Sequence, residues 1–275
     1  MTDISKLAAV QMASGPNTTA NLIEAERLIG RAAEAGAGLV VLPENFAFMG
    51  KQDRDMLSLV ESDGSGQLQD FLAKTALRYG VWIVGGTIPL RANNPARVRS
   101  ATLIYNAHGD RVARCDKMHL FDVVLPDANE RYQESATIES GDQSPVVDTP
   151  FGRLGVLVCY DLRFPEAARR MLDSGLEILA IPAAFTALTG KAHWETLIRA
   201  RAIENLAYVV AAAQGGFHLS GRETHGHSMI VDPWGNVLAQ IERGVGQICC
   251  ALDRDRQASI RRTFPVLDHR RLKCR

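Results

Sequence analysis

The stretch Gly155-Val-Leu-Val-Cys159-Tyr-Asp-Leu-Arg-Phe-Pro-Glu166 decides how the rest of the chain is read. Gly155 to Val158 is short and continuously apolar, the mark of a strand covered on both faces. Phe164-Pro165-Glu166 then reads as a helix start, with proline in the first turn and an acid near the positive end of the dipole. Cys159 falls at the junction. There it can sit over backbone N–H groups that stabilise a thiolate or hold an oxyanion. It can equally be a small buried apolar residue, as most free cysteines are. The stretch alone leaves both readings open.

Working outward, strands alternate with helices. Lys6–Ala13 reads as a first strand, broken at Gly15-Pro16, with Asn17-Thr18 offering a cap for a helix spaced on Leu22, Ala25, Leu28, Ile29 and Ala32 up to Gly36. Leu39–Leu42 is an apolar strand ending at Pro43-Glu44-Asn45, and Leu68 to Tyr79 keeps helical spacing up to Gly80. Val81–Val84, Val98–Asn106 and Arg111–Cys115 read as strands, the last two joined as a hairpin through Asn106-Ala-His-Gly109-Asp. Residues 116–142 form a long polar passage without periodicity, expected to be a functional loop.

Beyond Cys159 the expectation is a helix over Glu166–Asp173, a strand over Leu176–Ile181, a helix over His193–Leu206 and a strand over Tyr208–Ala213. Gly226–Val231, Asn236–Gln240 and Gln247–Leu252 read as further strands, with Asp232-Pro-Trp-Gly235 as a turn. The basic segment 253–275 reads as a solvated tail or an arm lying on a partner subunit. Gly36-Ala-Gly-Leu-Val-Val-Leu-Pro43 and Gly175-Leu-Glu-Ile-Leu-Ala-Ile-Pro182 echo one another, which suits a fold of two similar halves. Helices alternating with buried strands predict an α/β fold, and the hairpins predict mixed sheets.

The 275 residues are 46% hydrophobic and 23% charged, ordinary for a soluble globular chain. Lysine plus arginine and aspartate plus glutamate stand at 31 each, so charge points to no nucleic-acid or membrane partner and leans toward self-association. No run approaches the ~18 apolar residues of a membrane span, and the N-terminus lacks a signal-peptide pattern. Five cysteines without a disulfide framework fit a reducing, cytoplasmic setting.

Three further residues can carry chemistry. Glu44, at the end of an apolar strand, is expected to have its pKa raised by desolvation toward that of a general base, or else to be a loop or capping acid. Lys117, in Lys117-Met-His-Leu-Phe-Asp122, can stabilise an oxyanion and lower a thiol pKa, or can keep its head in water. Glu134 by itself carries little signal. Competing sites are weaker: none of the seven histidines has a context that makes it a partner for Cys159. His225-x-His227 has no C-x-x-C companion, and Cys249-Cys250 read as core residues of a strand.

Taken together, Pro-Glu44-Asn, Lys117-Met-His-Leu-Phe-Asp, Gln-Glu134-Ser and Cys159-Tyr-Asp-Leu-Arg-Phe-Pro-Glu resemble, in order and spacing, the Glu–Lys–Cys signature of the nitrilase superfamily of carbon–nitrogen hydrolases. The resemblance continues through Phe185-Thr, Thr-Gly-Lys-Ala-His193-Trp-Glu195, Arg199–Asn205, Gly226–Gly235 and Phe264-Pro-Val, and is nearest to the Nit branch of amidases. It implies one domain over 1–275 with 253–275 as a C-terminal arm, folded as a four-layer αββα sandwich that dimerises across its helices.

The resemblance also implies roles. Cys159 is the nucleophile, Glu44 the general base, and Glu134 the group that orients Lys117. Lys117 and the Tyr160 N–H hold the oxyanion. Arg163, Phe185 and Thr186 lie around the substrate, a small carboxylate-bearing amide, and neither metal nor organic cofactor is required. Two activities of the branch compete: hydrolysis of deaminated glutathione, toward which Ala211–Gly216, Gly226–Gly235 and Phe264–Arg271 lean, and ω-amidase hydrolysis of α-ketoglutaramate and α-ketosuccinamate. A binding module on the same scaffold is a third reading, disfavoured because Glu44, Lys117 and Cys159 are all present.

Overall fold

The computed structural model describes residues 5–125 and 130–272. Cys274, the end of the basic arm and the first four residues therefore lie outside the described residues, as do residues 126–129 of the long passage.

Two mixed sheets face each other. The first contains β1 (Lys6–Gln11), β2 (Ala37–Val41), β3 (Trp82–Val84), β4 (Ile88–Arg91), β5 (Val98–Tyr105), β6 (Arg111–Asp116) and β17 (Gly246–Ala251), in the order β17-β1-β2-β3-β5-β4 with β6 also on β5. A separate exposed ribbon pairs β7 (Asp122–Leu125) with β8 (Glu130–Gln133). The second sheet contains β9 (Val147–Thr149), β10 (Gly152–Val156), β11 (Ile178–Ala183), β12 (Tyr208–Ala213), β15 (Ser228–Val231) and β16 (Val237–Ile241), in the order β16-β15-β12-β11-β10-β9. A short hairpin, β13 (Gly215–Phe217) with β14 (Glu223–His225), follows β12.

Each sheet is centred on a parallel trio. β1, β2 and β3 run parallel, connected by helices α1 (Thr18–Glu34) and α2 (Gln67–Tyr79). β10, β11 and β12 run parallel, connected by α3 (Pro165–Met171) and α4 (Ala187–Asn205). The two echoing segments are the middle strands β2 and β11 of these trios. Side-chain parity builds the layers: Leu7, Ala9, Leu39 and Val41 enter the core shared with the second sheet, whereas Ala8, Val10 and Val40 pack under α1 and α2. The result is the four-layer αββα sandwich expected from the sequence.

Local chemistry sets the boundaries. Asn17 caps α1, its side chain accepting from the Ala20 N–H at 3.1 Å, and Leu22, Ala25, Leu28, Ile29 and Ala32 are the buried stripe. Burial of each of those larger side chains contributes about 1.5–3 kcal/mol. Pro165 opens α3 as the sequence indicates, and Thr186 caps α4. α4 begins at Ala187, earlier than the expected His193, because that cap lies upstream of the amphipathic turns.

Three other expectations need correcting. The passage 116–142 is not featureless: β7 and β8 lie within it, both faces largely exposed, so no alternation marked them. The expected strand at Gly226 starts only at Ser228, because Gly226 and His227 both take positive φ. The basic tail is not merely solvated. Residues Arg254–Thr263 form helix α5, capped by Asp253 and tied to its own chain. Gln257 Nε2 donates to the carbonyls of Glu177 (2.8 Å) and Leu206 (3.0 Å), and Arg261 Nη2 to that of Leu176 (2.7 Å). Among the described residues no helix is long and apolar enough to cross a membrane.

Candidate active site

Glu44 and Cys159 each follow an inner strand of a different sheet, at a backbone turn few residues tolerate. Asn45 has φ 56° and Cys159 φ 48°, the left-handed region, which costs about 1–3 kcal/mol and persists only where the surroundings enforce it. At Cys159 the enforcement comes from Asp161, which is fully buried. Its carboxylate accepts from the Val158 N–H at 3.0 Å and the His119 N–H at 2.8 Å, and lies 2.8 Å from His119 Nδ1. The His119 ring in turn stacks on Phe164 at 3.6 Å between centroids. Cys159 opens a 3₁₀ turn, Cys159–Arg163, whose leading N–H groups, including that of Tyr160, belong to the donor-rich end.

At Glu44 the enforcement is a buried polar network. The Glu44 carbonyl accepts from Gln214 Nε2 at 3.0 Å, and Ser14 joins the same amide through its hydroxyl (2.8 Å) and its N–H (2.9 Å). Gly86 lies against this turn: a Cβ there would meet the Pro43 carbonyl oxygen at 2.2 Å, so only glycine fits.

Lys117 follows β6 and is almost completely buried. Its Nζ donates to Glu44 Oε1 at 2.8 Å and to Glu134 Oε1 at 2.6 Å. The other Glu134 oxygen accepts from the Phe121 N–H at 2.7 Å, fixing the carboxylate on its short 3₁₀ turn.

The electrostatics differ from the sequence expectation in two places. Burial pushes the Glu44 carboxyl up, but the Lys117 ammonium, by charge and by hydrogen bond, outweighs it and holds the group below its ordinary value. The expected raised Glu44 is therefore corrected to a carboxylate. Burial, followed by the Glu44 charge, pushes the Cys159 thiol well above its ordinary value, although Lys117 opposes both. The expected stabilised thiolate is corrected to a protonated thiol beside a carboxylate. For Lys117, burial is overcome by the charges of Glu134 and Glu44, which raise it well above its usual value. Glu134 is raised, by burial and by Glu44, despite Lys117.

A cavity opens over these groups, its empty space about 610 Å³ with the open solvent at its mouth included. All eight residues singled out in the sequence line it: Glu44, Lys117, Glu134, Cys159, Tyr160, Arg163, Phe185 and Thr186. Arg163 lies with its guanidinium carbon 5.0 Å from the Phe185 ring centre and 5.8 Å from that of Tyr160, and contacts His193 Nδ1 at 3.1 Å. Thr186 is engaged as the α4 cap, its hydroxyl accepting from the Thr189 N–H at 3.3 Å and paired with the Thr189 hydroxyl at 2.8 Å.

Sequence reasoning missed Thr189 and Arg222 on the cavity wall, and the supports Asp161, His119, Gln214 and Ser14 behind it. Of these, only Asp161 carried a signal, as an acid two residues after the cysteine in an otherwise apolar run. Cys249 and Cys250 lie half-buried in β17. His225 and His227 stack at 4.1 Å, and among the described residues no cluster of three or more His, Cys, Asp or Glu is placed to hold a metal.

A strand-end carboxylate, a buried ammonium and a cysteine on a strained turn thus share one cavity. Residues 6–262 match the carbon–nitrogen hydrolase family, and the chain belongs to that family. It is thus an enzyme that cleaves carbon–nitrogen bonds of the amide type. It is 45% identical over 267 residues, 96% of this chain and 97% of the relative, to the deaminated glutathione amidase of Synechocystis sp. (strain PCC 6803 / GT-S). Its fold matches that of Saccharomyces cerevisiae Nit3, a member of branch 10 of the nitrilase superfamily, with TM-score 0.87 and 31% identity over 99% of each chain. It also matches the C. elegans NitFhit protein with TM-score 0.86 and 38% identity, covering 97% of this chain and 65% of that one, so it spans just under two thirds of the C. elegans protein.

Proposed function

We propose that the chain is a thiol amidase that hydrolyses deaminated glutathione through a thioester at Cys159. The observation that carries this reading is the convergence of Lys117 on Glu44 (2.8 Å) and Glu134 (2.6 Å) beside a protonated Cys159. The 45% identity to an amidase of that name supports the substrate.

The chemistry follows from the protonation states. Glu44, ionised, takes the thiol proton as the sulfur attacks the substrate carbonyl carbon, so a free thiolate is never needed. The oxyanion is met by the Lys117 ammonium and the Tyr160 N–H. One such donor is worth about 3 kcal/mol in the transition state. As the C–N bond breaks, Glu44 returns its proton to the departing nitrogen, and Cys-Gly leaves. Glu44 then takes a proton from water, the hydroxide attacks the thioester, and the thiol is restored as the acid product departs. Glu134 holds Lys117 in register throughout. Arg163, with Phe185 and Thr186 beside it, receives the carboxylate of the keto-acid half.

The same reading covers the organisation of the chain. Residues 1–275 act as one domain with α5 as the folded part of the arm. The enzyme works in the reducing cytoplasm, where Cys115, Cys159, Cys249 and Cys250 remain free. A homodimer covers the exposed Ile203, Trp234 and Phe264 beside α4.

The test is product release. Purified protein is given deaminated glutathione and, separately, α-ketoglutaramate, with Cys159→Ala alongside. Cys-Gly release that the variant lacks is expected. Ammonia from the second substrate alone moves the assignment to ω-amidase, and turnover of neither overturns the substrate.

A further inference from the structure

Arg222 takes no step in the chemistry above beyond adding its charge to those that keep Glu44 ionised, yet it reaches the cavity. It follows the Ser220-Gly221 turn between β13 and β14. Its guanidinium carbon lies 5.3 Å from the Tyr132 ring centre, and its Nη2 donates to the Ala184 carbonyl. Its Nε is buried without a hydrogen-bond partner among the described residues. Arg201 Nε shares that condition, but Arg201 has Glu204 as counter-ion at 2.9 Å and does not line the cavity. Arg222 has no ion-pair partner among the described residues: the adjacent Glu223 pairs with Arg243 at 3.3 Å instead. A half-buried guanidinium on a cavity wall, with its Nε buried and without a partner among the described residues, is positioned to take a carboxylate.

Position says which anion. Arg222, Asn45, Asp53 and Met56 line both the cavity and a second groove of about 390 Å³ that runs on past Lys51 and Ser220. Arg222 therefore stands where the cavity passes into this groove, at the Tyr132 and Ala184 wall, while Arg163 stands at the Phe185 and Tyr160 wall. Two arginines on the cavity wall, of which Arg222 alone also lines the groove, match an amide carrying a carboxylate at each end. An ammonia leaving group makes no use of the groove.

We propose that Arg222 determines leaving-group specificity, its guanidinium binding the terminal carboxylate of a short peptidyl amine that extends from the scissile bond into the groove toward Lys51. Asp53 is exposed, lines both the cavity and the groove, and forms no ion pair with Arg222 among the described residues. This inference rests on the peptidyl-amide reading of the site.

The experiment compares kcat/KM for deaminated glutathione and for α-ketoglutaramate, in the wild type and in Arg222→Gln. The ratio between two substrates does not depend on the folded fraction, so a poorly folding variant still reports. The ratio is expected to shift against deaminated glutathione by about 10–100-fold, mostly in KM, the loss of one charge-assisted contact. Arg222→Lys is expected to recover part of it. Deaminated glutathione with its terminal carboxylate converted to a carboxamide should show the same deficit in the wild type and no further deficit in Arg222→Gln. An unchanged ratio, or an equal loss on both substrates, overturns the inference and leaves the proposed function standing. Failure of the wild type itself on deaminated glutathione overturns the function and the inference with it.

Discussion

Lys117→Met removes the ammonium that lies 2.8 Å from one buried carboxylate and 2.6 Å from another. Removing one partner of a buried ion pair costs about 3–5 kcal/mol, and in a chain of this size each kcal/mol moves Tm by about 2–4 °C. A fall of roughly 6–20 °C near pH 7 is therefore expected. The pH dependence gives the sharper test. With Lys117 present, Glu44 is held below its ordinary value, so its ionised form adds stability above the normal carboxylate range, which is lost as pH falls through the folded value. Glu134 is raised even in the wild type, so its ionisation weakens the fold as pH rises. Without the ammonium, burial pushes both groups up, and the variant binds protons that the wild type does not. Its deficit should be largest at about pH 8 and shrink toward about pH 5. Thermal unfolding of both proteins across that range measures it. A gap under about 2 °C, or one independent of pH, would show that the three charges are not the tightly coupled cluster described.

Three further outcomes follow from the same geometry. Glu44→Gln keeps shape but removes the base, so kcat should fall about 10²–10⁴-fold with the fold retained by circular dichroism; near-normal turnover contradicts the role. Alkylation of Cys159 by iodoacetamide should keep accelerating through about pH 9, because the thiol is raised. In Glu44→Gln the carboxylate opposing ionisation is gone while Lys117 remains, so that curve should move to lower pH, and a move the other way refutes the electrostatics. Asp161→Asn keeps one acceptor and leaves either the Val158 or the His119 N–H facing an NH2 group, costing about 1–3 kcal/mol. Tm and kcat should drop together with KM little changed, whereas an unaltered enzyme would mean the Cys159 turn is held by something else.

What was legible in the sequence follows from how local each signal is. Glu44 and Cys159 each follow an apolar run that reads as a doubly buried strand, which places both at strand ends and leaves their chemistry open until Lys117 and Glu134 are read with them. The repeated Gly–apolar–Pro segments marked the middle strands β2 and β11, and with them the two-half plan. Glu134 was recoverable only through resemblance, because a three-residue 3₁₀ turn in a polar passage has no periodicity. The pKa directions of Glu44 and Cys159 were misread for a long-range reason: Lys117 is 73 residues from Glu44 in the chain, and its place between two carboxylates is a fact of packing. Helix α5 was missed because it docks through Gln257 and Arg261 on backbone carbonyls, leaving almost no apolar stripe to detect. Arg222 sits in Ser220-Gly-Arg-Glu223, which reads as an exposed turn, and only the fold carries its side chain into the cavity.

The central claim is that Cys159 carries the acyl group. Mass analysis of the intact protein, acid-quenched during turnover of deaminated glutathione, tests it most directly. A transient adduct equal to the 2-oxoglutaryl group is expected, found on the peptide containing Cys159 and absent from Cys159→Ala. Sustained turnover by Cys159→Ala, or an adduct on Cys115, Cys249 or Cys250 in its place, would contradict it.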